Sequence, residues 1–229
     1  IADLLKSADP PVRLEDPENH EIYGFHSKFN PQGDRLMLSL RAFPAEDEPI
    51  WNAFARDFDA VRFAWLTVKL DGTEMHCPAG PEQWEKGGHH ATWFPDGWRI
   101  SMNLRIDRDR MRFVQVNADG SGLRKMHDEL IGSGHPTVHP DGKHLVTDTY
   151  TGAEKAYDDG TIPLRWVNFV DGTEGTAVRI NTEQPCPDGV LRVDPHPAWD
   201  PTWRYVVFNA FVDGTRRVFM ADMAELIES

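Results

Sequence analysis

The chain has 229 residues, and its 24 lysines and arginines against 37 aspartates and glutamates give a formal net charge of -13. This acidic balance argues against a nucleic-acid partner, which needs a basic surface, and no apolar run is long enough to span a membrane. An anionic small substrate is not excluded, because a local arginine cluster or a bound metal can override the net charge.

The start of the chain carries no signal-peptide pattern, which by itself says little about the compartment. We expect a cytoplasmic protein. Its first residue is Ile1 rather than Met, and we expect that further residues precede it. Cys77 and Cys186 share no metal-ligand spacing, and we expect both to be free thiols.

A short motif occurs four times, near residues 25, 89, 134 and 195. In every copy a proline lies five residues after a histidine, and a small polar residue lies thirteen after it. The histidines are His26, His90, His135 and His196, and the small polar residues are Ser39, Asn103, Asp148 and Asn209. A motif repeated at this length indicates a repeated supersecondary unit.

The predicted elements follow the repeats in chain order. A short helix is expected over 1–7 and a final helical turn over 221–227. The predicted strands lie over 63–70, 90–94, 99–104, 112–117 and 164–170. The turns between them contain Asp-Gly, because Gly accepts a positive φ there. These turns are Asp71-Gly72, Pro95-Asp96-Gly97, Asp119-Gly120 and Asp171-Gly172. The repetition of Pro-Asp-Gly indicates that its aspartates are turn residues rather than catalytic ones.

Strand, tight turn and strand, followed by a third and a short fourth strand, describe one blade of a β-propeller. The sequence predicts an all-β fold of four-stranded antiparallel blades, with four blades in one domain over 1–229. The repeated histidines are 64, 45 and 61 residues apart, and we expect insertions over 41–61, 151–162 and 182–191. We expect these four blades to be the C-terminal part of a seven-bladed ring. Missing N-terminal blades or a second chain would complete it, because an open ring exposes a strand edge.

The repeated histidines open the first strand of each blade, which lines the central channel. The residue thirteen positions later ends the second strand at the same end of the sheet. We therefore expect the four histidines and the four small polar residues to surround one channel mouth. A histidine there can simply hydrogen-bond a neighbouring blade. Four at one mouth favour a divalent-metal site, because neutral imidazole is a good ligand for such ions.

Other aromatic residues and histidines have separate expected roles. Trp93 and Trp199 occupy matching repeat positions and are expected in the core between blades. Trp51 and Trp84 lie in or near insertions and are candidates for contact with a sugar ring. The remaining histidines lie in turns and loops and are expected to be exposed: His20, His76, His127, His139 and His144.

The repeat, in the form His-Pro-x-Trp-x-Pro-Asp-Gly, resembles the repeats of TolB-type propellers. The last two copies are similar to those of a narrower family, the oligogalacturonate lyases. These are seven-bladed propellers that split short pectic oligosaccharides by β-elimination with a divalent metal, usually manganese. The resemblance covers the repeats along most of the chain.

This resemblance implies roles for particular residues. His90 matches the family's base histidine by its place in the repeat, and His135, one blade later, matches the first metal-binding histidine. His196 matches the last histidine of a Gln-x-x-His-x-His motif. Asp194 stands where the middle histidine would be, and Leu191 where the glutamine would be. The implied metal shell is His135, Asp194 and His196, around manganese or another divalent ion such as zinc or calcium.

The implied activity is that of a metal-assisted lyase acting on uronate-containing oligosaccharides. Removal of the proton beside a carboxylate is helped when a metal or an arginine neutralises that carboxylate. Arg192 and Arg165 are candidates for gripping it, or else for structural salt bridges. The further candidates for substrate contact are His26, His89, Asn103, Asp148, Trp51 and Trp84.

The sequence leaves one alternative function open and disfavours another. A non-catalytic TolB-like propeller that serves as a binding or interaction scaffold would use the histidines to lock blades together, and the fold alone does not exclude it. The propeller of a serine peptidase is disfavoured, because the sequence contains no Gly-x-Ser-x-Gly nucleophile motif.

Overall fold

In the computed structural model, the described residues are 2–12, 20–44, 62–79, 83, 87–106, 110–182 and 193–228. The chain divides into two compact units, Ile1–Lys125 and Met126–Ser229. Each unit contains two antiparallel sheets whose strands are neighbours in chain order. None of the helices in the described part of the chain has the length and apolar character that a membrane span requires.

The first unit begins with a short helix and continues as two four-stranded sheets. Its elements are α1 (Ala2–Ser7), β1 (His20–Phe29), β2 (Arg35–Pro44), β3 (Arg62–Lys69), β4 (His76–Ala79), β5 (Gly88–Trp93), β6 (Arg99–Leu104), β7 (Arg112–Asn117) and β8 (Arg124–Lys125). The sheet orders are β1-β2-β3-β4 and β5-β6-β7-β8.

The second unit has one four-stranded and one three-stranded sheet among its described residues. Its elements are β9 (Thr137–Val138), β10 (His144–Thr147), β11 (Thr161–Asn168), β12 (Thr173–Asn181), β13 (Ala198–Trp199), β14 (Tyr205–Val212), β15 (Thr215–Asp222) and α2 (Ala224–Ile227). The sheet orders are β12-β11-β10-β9 and β13-β14-β15. Strands that pair in sequence order, several of them through tight turns, have the connectivity of propeller blades.

The tight turns are held by aspartate side chains, as the sequence indicated. Asp96 accepts hydrogen bonds from the backbone N–H groups of Trp98 and Arg99, each at 2.9 Å. Asp200 accepts them from Thr202 and Tyr205 in the equivalent turn, at 3.0 and 2.9 Å. These carboxylates satisfy donors that the reversal of the chain leaves without a strand partner, so their role is structural.

The hydrophobic core lies between neighbouring sheets. In the first unit Met37 and Trp65 belong to the same buried cluster as Trp93, Met102 and Val114. Strand β6 is consequently buried on both faces rather than alternating. Burial of each such side chain contributes roughly 1.5–3 kcal/mol to stability.

Two tryptophans at matching repeat positions connect first strands of neighbouring sheets. The indole N–H of Trp93 donates to the carbonyl of Lys28 at 3.0 Å, and that of Trp199 donates to the carbonyl of Thr137 at 3.4 Å. Lys28 and Thr137 both lie two residues after a repeated histidine. The same contact therefore recurs in both units, and it places each indole in the inter-sheet core.

The expected exposure of His139 and His144 is wrong. Only 7% of His139 and 8% of His144 is accessible to solvent. The His144 ring stacks on Trp166 at a centroid distance of 4.4 Å, and its Nδ1 lies 2.6 Å from an Asp141 carboxylate oxygen. The Nδ1 of His139 lies 3.0 Å from the same oxygen. Packing against tryptophans covers a turn that sequence alone indicates to be exposed.

Candidate metal centre

Two of the repeated histidines converge within the second unit. His135 precedes β9 by two residues, and His196 precedes β13 by two residues. Their ring centroids are 3.5 Å apart, with 32° between the ring planes. Because the two rings hold the same position before the first strands of two sheets, the repeat itself brings them together.

Asp194 completes a group of three potential ligands with these histidines. One donor atom from each of His135, Asp194 and His196 lies within 4.8 Å of the others. His135 is 9% exposed, whereas His196 is exposed and gives the group access to solvent. Among the described residues, this is the one such group of three.

The donor set fits a divalent transition ion. Two imidazole nitrogens and one carboxylate oxygen are ligands that manganese and zinc accept, and three protein ligands leave coordination positions for water or substrate. A site for calcium would be expected to offer oxygen ligands throughout. The residues therefore fit the kind of ion that the sequence predicted, with manganese or zinc better matched than calcium.

Asp148 lies beneath the two histidines and is not accessible to a substrate. Only 1% of this residue is exposed. Its carboxylate accepts hydrogen bonds from the backbone N–H of His135 at 2.6 Å and from that of His196 at 3.1 Å. It also faces Nδ1 of His135, at 3.0 Å from each carboxylate oxygen. A contact between Asp148 and the substrate stays a prediction, and this burial disfavours it.

Two backbone features shape the group. Gly134 has φ of 66°, and a Cβ built on it would lie 2.1 Å from the carbonyl oxygen of Asp148. His196 has φ of 46°, which is uncommon for a residue other than glycine and is often found at functional sites. Asn209 donates from its side chain to the carbonyls of Asp194 and Pro195, at 3.3 and 3.4 Å, and so holds that segment.

The electrostatics favour a charged Asp148 and a neutral His196. Burial acts to raise the pKa of Asp148, but hydrogen bonds from His135 and His196 outweigh burial and lower it. Partial desolvation and the adjacent His135 ring lower the pKa of His196, against the opposing effect of Asp148 and Asp194. A neutral imidazole at pH 7 is the form that binds a metal ion.

The predicted site residues of the first unit lie on two neighbouring blades. His90 has φ of 58° and lies in an irregularity of the β5–β6 pairing, between His89 and Thr92. Nδ1 of His89 lies 3.2 Å from the side-chain nitrogen of Asn103, which is fully buried. His26 is exposed on β1 and pairs in register with Ser39. Asn103 as a substrate contact also stays a prediction, and its burial disfavours it.

Of the arginines and tryptophans predicted to contact the substrate, only Arg165 is among the described residues. Arg165 is 2% exposed, and its guanidinium donates to Glu174 from both Nε and Nη2, at 2.8 and 2.5 Å. This is the structural salt bridge that the sequence left open, so burial argues against a role of Arg165 in binding a uronate. Arg192, Trp51 and Trp84 lie outside the described residues.

The part that Gly134 plays was not predicted from the sequence. Of the four repeats, only the third has a glycine directly before its histidine. That glycine was the available signal, because a glycine at one copy of a repeat often marks a close approach of another group.

No family model matches the chain. An oligogalacturonide lyase of Pectobacterium atrosepticum is 25% identical over 195 residues, which are 80% of this chain and 49% of that protein. The chain thus spans about half the length of the curated relative that it matches.

Solved structures give the same likeness in three dimensions. An oligogalacturonate lyase in complex with manganese aligns with a TM-score of 0.51 at 18% identity, over 91% of this chain and 68% of that one. An oligogalacturonate lyase from Vibrio parahaemolyticus aligns with a TM-score of 0.58 at 15% identity, over 90% and 67%.

The chain resembles the oligogalacturonate lyases. It also resembles the TolB-type propellers: TolB from Acinetobacter baumannii aligns with a TM-score of 0.52 at 12% identity, over 89% of this chain and 55% of that one. At these identities the structural matches show the fold alone. They confirm the predicted all-β propeller class with four-stranded antiparallel blades, while the seven-bladed ring stays a prediction.

Proposed function

We propose that the chain belongs to a metal-assisted lyase that cleaves uronate-containing oligosaccharides by β-elimination. The observation that carries this proposal is the group of His135, Asp194 and His196, whose donor atoms lie within 4.8 Å of one another. Its support comes from the likeness to an oligogalacturonide lyase and to a manganese complex of such an enzyme.

The metal would be held by the two imidazoles and the Asp194 carboxylate. A divalent ion bound there would neutralise the carboxylate of a uronate and so make the adjacent C–H proton more acidic. Manganese is the proposed ion, with zinc as the other ion that suits this donor set. The exposed edge of His196 would leave the substrate a way to reach the group.

We propose His90 as the base that removes this proton. Its place in the repeat supports this role, and so does its left-handed backbone conformation in a strand irregularity, because such strain is often kept at functional positions. An imidazole that is neutral near pH 7 is suited to accept a proton when it is within hydrogen-bond reach.

Among the described residues, substrate binding is proposed only for groups that are exposed or partly exposed. His26 and the partly exposed His89 remain candidates among the described residues, together with Arg192, Trp51 and Trp84. An arginine can bind a carboxylate with two parallel hydrogen bonds, and a tryptophan can pack against the face of a sugar ring.

The test combines metal content with product formation. We expect the purified chain to bind about one Mn²⁺ and to form an unsaturated uronate, detected by its ultraviolet absorbance, from oligogalacturonates. His196→Ala should lose both the metal and turnover, while His90→Ala should keep the metal and lose turnover. His127→Ala, which removes an imidazole outside the group, is the control and should change neither. Absence of bound metal, and of this absorbance across a panel of uronate oligosaccharides, would contradict the proposal.

A binding scaffold without catalysis is the second candidate, favoured by the structural likeness to TolB. In that case the repeated histidines would stabilise the blades. His90→Ala would then lower the free energy of unfolding in urea, whereas the lyase proposal expects a folded protein of near-normal stability.

A further inference from the structure

The hydrogen bonds of Asp148 link the two histidines of the metal group. The backbone N–H and the Nδ1 of His135 lie within 2.6–3.0 Å of its carboxylate oxygens, and the backbone N–H of His196 lies at 3.1 Å. One nearly inaccessible carboxylate thus contacts the segments that carry two of the three potential ligands.

The equivalent positions of the other repeats need no carboxylate. Ser39, Asn103 and Asn209 occupy them, and Asn209 uses its amide to hold the carbonyls of Asp194 and Pro195. The fold therefore accepts an uncharged side chain at this point of a blade. A buried charge is costly unless it is hydrogen-bonded. Because only the third repeat has a carboxylate at this position, we infer that Asp148 has a role beyond stabilising the fold.

The space for Asp148 is created by Gly134. A Cβ at this glycine would lie 2.2 Å from Oδ1 of Asp148 and 2.1 Å from its carbonyl oxygen. The glycine also has φ of 66°, which a side chain would disfavour. The third repeat thus differs from the others at two neighbouring points, and both differences allow a carboxylate to lie against His135.

A carboxylate determines which ring nitrogen of a histidine carries the proton. An ionised carboxylate can only accept hydrogen bonds, so the nitrogen that faces it must be the donor. In His135 that nitrogen is Nδ1. The lone pair is then on Nε2, and a carboxylate on the other nitrogen raises the basicity and fixes the orientation of a ligating imidazole.

We propose that Asp148 is a positioning residue that holds His135 in the Nδ1–H tautomer and ties the backbone of His196 to it, so that the metal group is formed before an ion binds. This inference rests on the proposed metal-binding function and adds a residue that acts through the ligands rather than on the ion.

The first measurement uses the unaltered chain without metal. Long-range ¹H–¹⁵N spectra of the histidine rings, recorded above the pH at which imidazoles are protonated, distinguish the two tautomers. The His135 resonances are assigned by their loss in His135→Gln. We expect His135 to carry its proton on Nδ1. A proton on Nε2 overturns the inference whether or not a metal binds, and this result requires no variant of Asp148 to fold.

The second measurement compares Mn²⁺ affinities by calorimetric titration. Asp148→Asn keeps the size of the side chain and introduces the residue found in two equivalent repeats. We expect it to weaken Mn²⁺ binding about 10–100-fold, as losses of such supporting hydrogen bonds do, and to give a mixture of His135 tautomers. Asp141→Asn is the matched control, because Asp141 also faces an Nδ1 atom, that of His144, in the same unit. It should leave the Mn²⁺ affinity unchanged.

The outcomes separate this inference from the proposed function. If the unaltered chain binds Mn²⁺ and Asp148→Asn binds it equally well, the inference fails and the proposed function stands. If the unaltered chain binds no Mn²⁺, the proposed metal function fails, and the positioning role fails with it. If Asp148→Asn weakens Mn²⁺ binding and His135 carries its proton on Nδ1 in the unaltered chain, the positioning role and the proposed metal function are both supported.

Discussion

Replacing Asp141 by asparagine tests the buried histidine pair of the second unit. The Asp141 carboxylate accepts hydrogen bonds from the backbone N–H groups of Lys143 and His144, at 2.9 and 3.0 Å. It also contacts the Nδ1 atoms of His139 and His144, at 3.0 and 2.6 Å. Burial acts to raise the pKa of Asp141, but these hydrogen bonds outweigh burial and lower it to about 2.

The expected loss of stability follows from this pKa. A drop from about 3.9 in the unfolded chain to about 2 corresponds to roughly 2.6 kcal/mol at pH 7. The side chain is 19% exposed and partly screened, so we expect Asp141→Asn to lose about 1–2 kcal/mol. For a chain of this size that is a fall in Tm of roughly 3–6 °C.

The pH dependence has a definite sign. Because the pKa of Asp141 is lower in the folded state, its stabilisation is fully present above about pH 4 to 5 and is lost as the pH falls towards 2. The difference between the unaltered chain and Asp141→Asn, measured by urea unfolding at pH 7 and at pH 3, should therefore shrink by about half. Asp213→Asn is the control, since that side chain is 76% exposed, and it should change stability by less than about 0.5 kcal/mol. An equal loss at both pH values would refute the reasoning.

Three further predictions concern the first unit. Thr67→Val removes a hydroxyl that is fully buried and donates to the Ala118 carbonyl at 2.5 Å; urea unfolding should show a loss of about 1–2 kcal/mol, and no loss would contradict the bond. Trp93→Phe removes the indole bond to Lys28 and part of the inter-sheet core; a fall of about 1–2 kcal/mol is expected, and an unchanged Tm would place the ring outside that core. Burial raises the pKa of the Cys77 thiol to about 12; in a Cys186→Ser background this thiol should resist iodoacetamide at pH 8 until urea unfolds the chain, and rapid labelling of the folded protein would show the burial to be wrong.

Much of the fold could be predicted because its signals are local. The predicted strands over 99–104 and 112–117 match β6 and β7 residue for residue. Their ends are set by turn residues that act over three or four positions, such as Asp96. The repeat also placed His135 and His196 at equivalent blade positions, and their rings lie 3.5 Å apart.

The features that could not be predicted from the sequence depend on contacts between residues that are distant in the chain. His139 and His144 are in a polar turn, and only the packing of Trp166 and Trp203 around them makes them buried. The partner of Arg165 lies on the neighbouring strand, where pairing register decides which acid it meets.

Asp148 shows the same limit within the site. Its spacing from His135 predicted that the two would lie at the same end of the sheet, and they do. The spacing could not tell whether the carboxylate would point to solvent or beneath the imidazole. The room that Gly134 leaves decides that, and it depends on a positive φ at this one residue.

The metal group is tested most directly by anomalous diffraction from crystals of the chain soaked in Mn²⁺. We expect an anomalous peak in contact with His135, Asp194 and His196, which disappears in His196→Ala. A fully soaked crystal with no peak at these three residues, or with its peak at other residues, would contradict the proposed metal site.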